Sequence, residues 1–135
     1  MNNKQLTKVL PLIFGLILLL AQGYLFQMYQ EARIAVSQKA IIYEISIFLI
    51  FFVVGILIEW GTIQNAIKNG FKINFKLFAF ASILLLIAFI PLDIYILIFG
   101  IDNKIINLIT PLTRTAISIL SGIFIVRSLI MKNPL

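Results

Sequence analysis

Five acidic and eleven basic residues, with a scatter of hydroxyls and amides, are the whole stock of reactive side chains in this chain of 135 residues. Cysteine and histidine are both absent. That removes thiolate nucleophiles, disulfides, imidazole acid–base chemistry and the usual zinc and haem ligands. No metal site and no cofactor is expected. A paired-carboxylate mechanism needs two acids facing each other, and Asp93 and Asp102 are the only aspartates. Neither lies in a Gly-x-Gly-Asp motif. There is no His-Glu-x-x-His, no phosphate-binding loop and no Glu-Glu-x-x-x-Arg. No residue is assigned a catalytic role, and an enzyme is not expected.

The informative polar residues are those inside long apolar runs, where an ionisable group is costly unless it is paired, faces protein or reaches water. Asp93 and Arg114 stand out. Asp93 lies nine residues before Asp102 and Arg114 twelve after it, on either side of a tight Gly100-Ile101-Asp102-Asn103-Lys104 turn. In an antiparallel hairpin those offsets bring the two side chains to similar depth. An Asp93–Arg114 ion pair, bidentate if the planes align, is therefore expected to tie the third helix to the fourth. The competing reading has both groups hydrated at the outer interface. Pro91 cannot donate to the Ile87 carbonyl and should bend the third helix near Asp93.

Glu44 falls about one turn into the second run, and Gln22 toward the outer half of the first. With Asp93 and Arg114 they give each helix a polar group in the same half. That suggests a small pocket opening to the outer face, against the simpler reading of independent hydration. Glu59 beside Trp60 reads as an interfacial carboxylate, and Arg127 as a snorkelling cation. Ser118 and Gly122, a small-xxx-small pair with Ser121 alongside, mark a face for close helix approach. Ala79, Ala81 and Ser82 do so more loosely. Whether such a face meets a helix of the same chain or a second copy is open.

These residues need elements to hold them, and the composition says which. The chain is 61% hydrophobic and 12% charged, against roughly half apolar and a quarter charged for an ordinary soluble domain. The apolar residues gather in four runs, about 9–28, 41–60, 77–99 and 108–131. Each is long enough to cross a ~30 Å hydrocarbon core as a helix. They are too long and too uniformly apolar for barrel strands. The fold expected is all-α, a single four-helix transmembrane bundle. Pro11 should sit in the first turn of helix one, where its missing N–H does no harm. A secretory signal peptide is the competing reading of that run, with Lys4 and Lys8 before it and Ala21-Gln22-Gly23 as a loose cleavage site. A retained helix is preferred, because Tyr24 to Met28 continue the apolar run. The fourth helix starts near Ile105 or, better, at Pro111 with Thr110 as its N-cap. The basic linker 61–76 spaces Lys68, Lys72 and Lys76 four apart. It is either a short amphipathic surface helix that Asn69-Gly70 should break, or a solvated loop.

Four spans place both ends and this linker on one side, with Lys4, Lys8, Lys68, Lys72, Lys76, Arg127 and Lys132. The other side has Arg33, Lys39, Lys104 and Arg114. The positive-inside rule puts both termini in the cytoplasm. The net charge of +6 then meets anionic headgroups rather than nucleic acid. Composition rich in Ile and Lys suggests a prokaryotic plasma membrane. Lipoprotein signal peptidases share the size and topology expected here, but their paired aspartate motifs are missing. Four-helix multidrug exporters use a glutamate in helix one, and this first run has no acid. What remains as the leading expectation is an accessory, regulatory or immunity-type protein acting by contact within the bilayer, with another membrane protein or with itself. The runner-up is a small oligomeric transporter or channel using Glu44 or Asp93.

Overall fold

A computed structural model describes residues 3–71, 73–100, 104 and 108–129. Among the described residues there are helices and connections and no strand. The helices are α1 (Asn3–Ile34), α2 (Lys39–Ile58), α3 (Trp60–Asn69), α4 (Phe75–Phe89), α5 (Leu92–Phe99) and α6 (Pro111–Ser128). Asp102, Lys72 and Lys132 lie outside the described residues.

Several boundaries follow local chemistry. The helix α6 begins at Pro111, with the Thr110 hydroxyl accepting the Thr113 N–H at 3.1 Å, as the Thr-Pro pair predicts. At the start of α4 the Asn74 side chain accepts the Leu77 N–H. The linker is helical over Trp60–Asn69 and ends at Gly70, whose φ of +85° suits glycine. Other boundaries differ from expectation. The first helix starts at Asn3 rather than near Val9, so Pro11 sits inside it and not in its first turn. It continues to Ile34, and Ala21-Gln22-Gly23 falls in mid-helix. The run 77–99 is not one bent helix. It is broken at Ile90–Pro91 into α4 and α5, which lie at 90° to each other.

The order of packing is α1 on α2, α2 on α6, and α6 on α4. Directions follow from the contacting pairs. The α2 and α6 helices run parallel, since Glu44 meets Arg114, Phe48 meets Ser118 and Glu59 meets Arg127. Against α4, α6 runs antiparallel: Asn74 bonds Ser128, Phe80 stacks near Phe124 and Ala88 bonds Arg114. Only small residues permit the α2–α6 approach. A Cβ on Gly55 would collide with the Ile119 carbonyl, and one on Gly122 with the Phe52 carbonyl.

The interior mixes small and polar residues with a few large apolar ones, Ile47, Phe48, Tyr95 and Val126, and much of the exterior is apolar. Ser118, Ser121, Ser128, Arg114 and Glu44 are buried, beside Ala81, Ala88, Gly55 and Gly122. Leu12, Leu16, Leu20, Ile42, Leu86 and Leu97 stand exposed. In water that distribution would be strongly unfavourable. In lipid it is the ordinary one, because tails outside are as apolar as leucine and close packing is what joins helices. Two helices are long and apolar enough to cross a membrane: α1 from Val9 and α2. A third candidate is added if α4 and α5 count as one bent segment.

Candidate functional site

The site forms where the chain breaks. Proline at position 91 has no N–H and pushes Ile90 into an extended conformation, φ −63° and ψ 123°. The last carbonyls of α4 and the first N–H groups of α5 thereby lose their helical partners. Away from water each such group would cost several kcal/mol if left alone. Three side chains take up four of them. The Tyr95 hydroxyl donates to the Ile87 carbonyl at 2.7 Å, the acceptor that Pro91 leaves vacant. Arg114 donates from Nε and Nη2 to the Ala88 carbonyl, at 3.3 and 3.1 Å, and from Nη2 to the Ile90 carbonyl at 2.7 Å. Glu44 Oε1 accepts the Leu92 N–H at 3.3 Å and an Nη1 N–H of Arg114.

The signs of charge match the helix ends. A guanidinium sits at the carbonyl end of α4, where the dipole is negative, and a carboxylate at the amide end of α5, where it is positive. The Arg114 guanidinium carbon also lies 4.1 Å from the centre of the Phe48 ring, a cation–π contact. With only 3% of Arg114 and 7% of Glu44 exposed, these charges are buried. No buried side-chain nitrogen or oxygen among the described residues lacks a partner.

The expected partner of Arg114 is thus corrected. Arg114 pairs with Glu44 of α2, and Asp93 is exposed in the first turn of α5. The hairpin register assumed one straight third helix. The 90° turn at Pro91 removes that register, while α2, lying parallel to α6, offers an acid at matching depth. The signal was present in the sequence, since Glu44 and Arg114 each lie about one turn into their helices from the same end.

Three of the four expected pocket residues meet. Gln22, Glu44 and Arg114 line a cleft of about 190 Å³ between α1, α2 and the start of α6, with Leu92 closing it from α5. Asp93 is not on its wall. Phe26, Ile47 and Phe51 give the cleft apolar sides, and Tyr29, Gln30 and Arg33 rim it. Glu44 Oε2 and the Gln22 amide take part in no hydrogen bond among the described residues. Ser118 and Gly122 lie on the α2-facing side of α6, where the Ser118 hydroxyl donates to the Phe48 carbonyl at 2.6 Å. That face is filled within the chain, and Gly55 is its unforeseen counterpart.

A second ion pair joins the far ends of the same two helices. Arg127 Nε donates to Glu59 Oε1 at 2.7 Å, and the Thr62 hydroxyl donates to Oε2 at 2.6 Å. Glu59 and Arg127 are therefore partners and not separate interfacial charges. The Thr62 hydroxyl holds the Glu59 carboxyl below its ordinary range; burial opposes it, and Arg127 adds to the lowering. Beside this end a wholly apolar groove of about 420 Å³ runs along α1, from Leu10 to Ile17, against Leu57 and Trp60.

No cluster of acids among the described residues could hold a metal ion. No protein-family model, curated protein or solved structure matches the chain.

Proposed function

We propose that this chain is a multi-pass protein of a prokaryotic plasma membrane, crossing four times with both ends cytoplasmic. It acts by contact within the bilayer with another membrane protein, as an accessory, regulatory or immunity-type subunit and not as an enzyme. The observation that carries the reading is what the buried charges do. Arg114 and Glu44 are engaged by each other and by the backbone of Ala88, Ile90 and Leu92, so the deepest ionisable groups serve the fold. What the chain then offers to its surroundings is apolar surface, above all on α1, which rests almost entirely on α2.

Four crossings are supported by the alternating directions of α1, α2, α4 and α6. The orientation is supported by charge. Arg114 leaves the outer tally once Glu44 neutralises it, as Arg127 leaves the inner one through Glu59, and the basic excess stays on the side of Lys68 and Lys76. The test is photo-crosslinking in cells from the exposed positions Leu12, Leu16 and Leu20, followed by purification in mild detergent. One stoichiometric membrane partner is expected. A chain that purifies alone, or crosslinks only to itself, overturns the reading.

A second reading, a small oligomeric transporter, is favoured by one observation: the cleft reaches Glu44, whose Oε2 takes no hydrogen bond among the described residues. Proton-coupled flux in reconstituted vesicles, lost in E44Q or D93N, would establish it.

A further inference from the structure

The cleft between α1 and α2 has chemistry that holding the break does not use. Glu44 and Gln22 both line it, and among the described residues neither Glu44 Oε2 nor the Gln22 amide takes part in a hydrogen bond. Both can accept hydrogen bonds. Phe26 and Phe51 also line the cleft, and an aromatic ring can attract a cation over its face. At the rim stands Arg33, exposed and held over Tyr29, with Nη1 donating to the Tyr29 hydroxyl at 3.2 Å. Only one of its N–H groups is engaged there, so the guanidinium keeps a fork of donors for an anion. An acceptor end and a cationic end thus share one cavity of about 190 Å³.

We infer that this cleft is a binding site for a small zwitterion, a primary ammonium joined to a phosphate or carboxylate, of the ethanolamine-phosphate type. The ammonium donates to Glu44 Oε2 and Gln22. The acid group faces Arg33 at the rim. Charge favours this over a simple ion. Arg114 already neutralises Glu44, so a bare cation gains little there while Arg33 repels it. A bare anion satisfies Arg33 but leaves both acceptors unpaired. A quaternary ammonium has no N–H to give them. The ligand is either the headgroup of a bilayer lipid or a free solute, and both carry the same recognised chemistry. The inference stands apart from the proposed partner, because it needs only the folded chain.

The experiment uses the full-length chain in a neutral maltoside detergent, with unfolding followed by the fluorescence of Trp60, the only tryptophan. O-phosphoethanolamine and phosphocholine are titrated as solutes. Dihexanoyl phosphatidylethanolamine and dihexanoyl phosphatidylcholine are titrated as lipids. A saturable rise in Tm is expected with an ethanolamine compound, and the choline counterpart should bind at least about tenfold more weakly, the worth of one or two charge-assisted hydrogen bonds. R33Q and Q22L alter neither the break nor its bonds, so both should keep the unliganded Tm near that of the parent. Each should weaken the ethanolamine response by about tenfold. Saturation by the lipid alone assigns the site to a headgroup, and saturation by the solute assigns it to a free zwitterion. Equal response to ethanolamine and choline, no response to either, or titrations unchanged by R33Q and Q22L would each overturn the inference.

Discussion

Two ion pairs join α2 to α6, one at each end of a parallel helix pair, and they could hardly differ more in consequence. In Glu44–Arg114 the side chains are 9% and 3% exposed; in Glu59–Arg127 they are 12% and 58%. The difference in exposure is the smaller part. At the first pair the guanidinium also serves two backbone carbonyls and the carboxylate one backbone amide. At the second, the only further side-chain partner among the described residues is the Thr62 hydroxyl. The same two residue types thus build a splice across a broken helix at one end and a surface clasp at the other. A buried pair is weak evidence for stability when each charge only answers the other. It becomes indispensable when removing it also strands backbone that lipid cannot hydrate.

The largest expected effect is therefore at Arg114. R114A should destabilise by about 3–5 kcal/mol, the usual cost of leaving a buried charge alone, whereas R127A should cost under about 1 kcal/mol. Reversible unfolding in detergent micelles measures both. Charge exchange sharpens the contrast. E59R/R127E should be tolerated, because no backbone group depends on the pair and the Thr62 hydroxyl can accept from an arginine as it donates to a carboxylate. E44R/R114E should not, because a carboxylate at position 114 would face the Ala88 and Ile90 carbonyls. If both exchanges were tolerated alike, the backbone role of Arg114 would have to be given up.

Between the two pairs lies the closest approach of the helices. A methyl group on Gly55 or Gly122 would meet a backbone carbonyl of the opposing helix, and backbone cannot move aside as a side-chain tip can. G55A and G122A should each cost about 1–3 kcal/mol. If the helices pivot on this contact, G55A should also loosen both ion pairs. Crosslinking between cysteines introduced at Phe48 and Ser118, whose carbonyl and hydroxyl meet at 2.6 Å, in the parent and G55A would report such a shift. A neutral G55A would mean the α2–α6 distance is set elsewhere.

A smaller effect is expected at Tyr95, the third donor at the break. Y95F removes one hydrogen bond, to the Ile87 carbonyl, and should cost about 1 kcal/mol, perceptibly less than R114A because one acceptor is lost and no charge is stranded. Combining Y95F with P91A tests the account of the break directly. Alanine at position 91 can donate its own N–H to Ile87, so Y95F should cost less in the P91A background than alone.

How much of this was legible in the sequence depends on the range of the interaction. The all-helical architecture, the Thr110-Pro111 start of α6 and the end of α3 before Gly70 follow from apolar length and from local backbone chemistry, which the sequence states outright. The disturbance at Pro91 was legible for the same reason, though not its 90° extent, which depends on what stands ready to receive the freed carbonyls. The partner of Arg114 was not read correctly. Neighbours in sequence, Asp93 and Arg114, suggested a hairpin contact, but the helices in contact are α2 and α6, separated by three others. Gly55 was missed for a related reason: a lone glycine in an apolar run shows its purpose only when the opposing carbonyl is known.

The smallest effect expected belongs to the clasp, and it carries a sign. Glu59 is held below its ordinary carboxyl range in the folded chain, first by the Thr62 hydroxyl and then by Arg127. The unfolded chain, with an ordinary glutamate value near ~4.3, binds the proton more readily. Folding therefore gains from the ionised carboxylate above that value, and the gain disappears as pH falls through the lower, folded value. Exposure of Arg127 limits the whole contribution to under about 1 kcal/mol. Comparing the unfolding free energy of the parent chain with that of E59Q between neutral and acid pH isolates it. The parent should hold its small advantage at pH 6 and lose it progressively as the pH falls below the ordinary glutamate value, with 0.5 M salt eroding it even at neutrality because an exposed pair is screened. The Glu44–Arg114 splice, buried and bonded to backbone, should show little dependence on salt, and a strong dependence in an E59Q background would place water at the break.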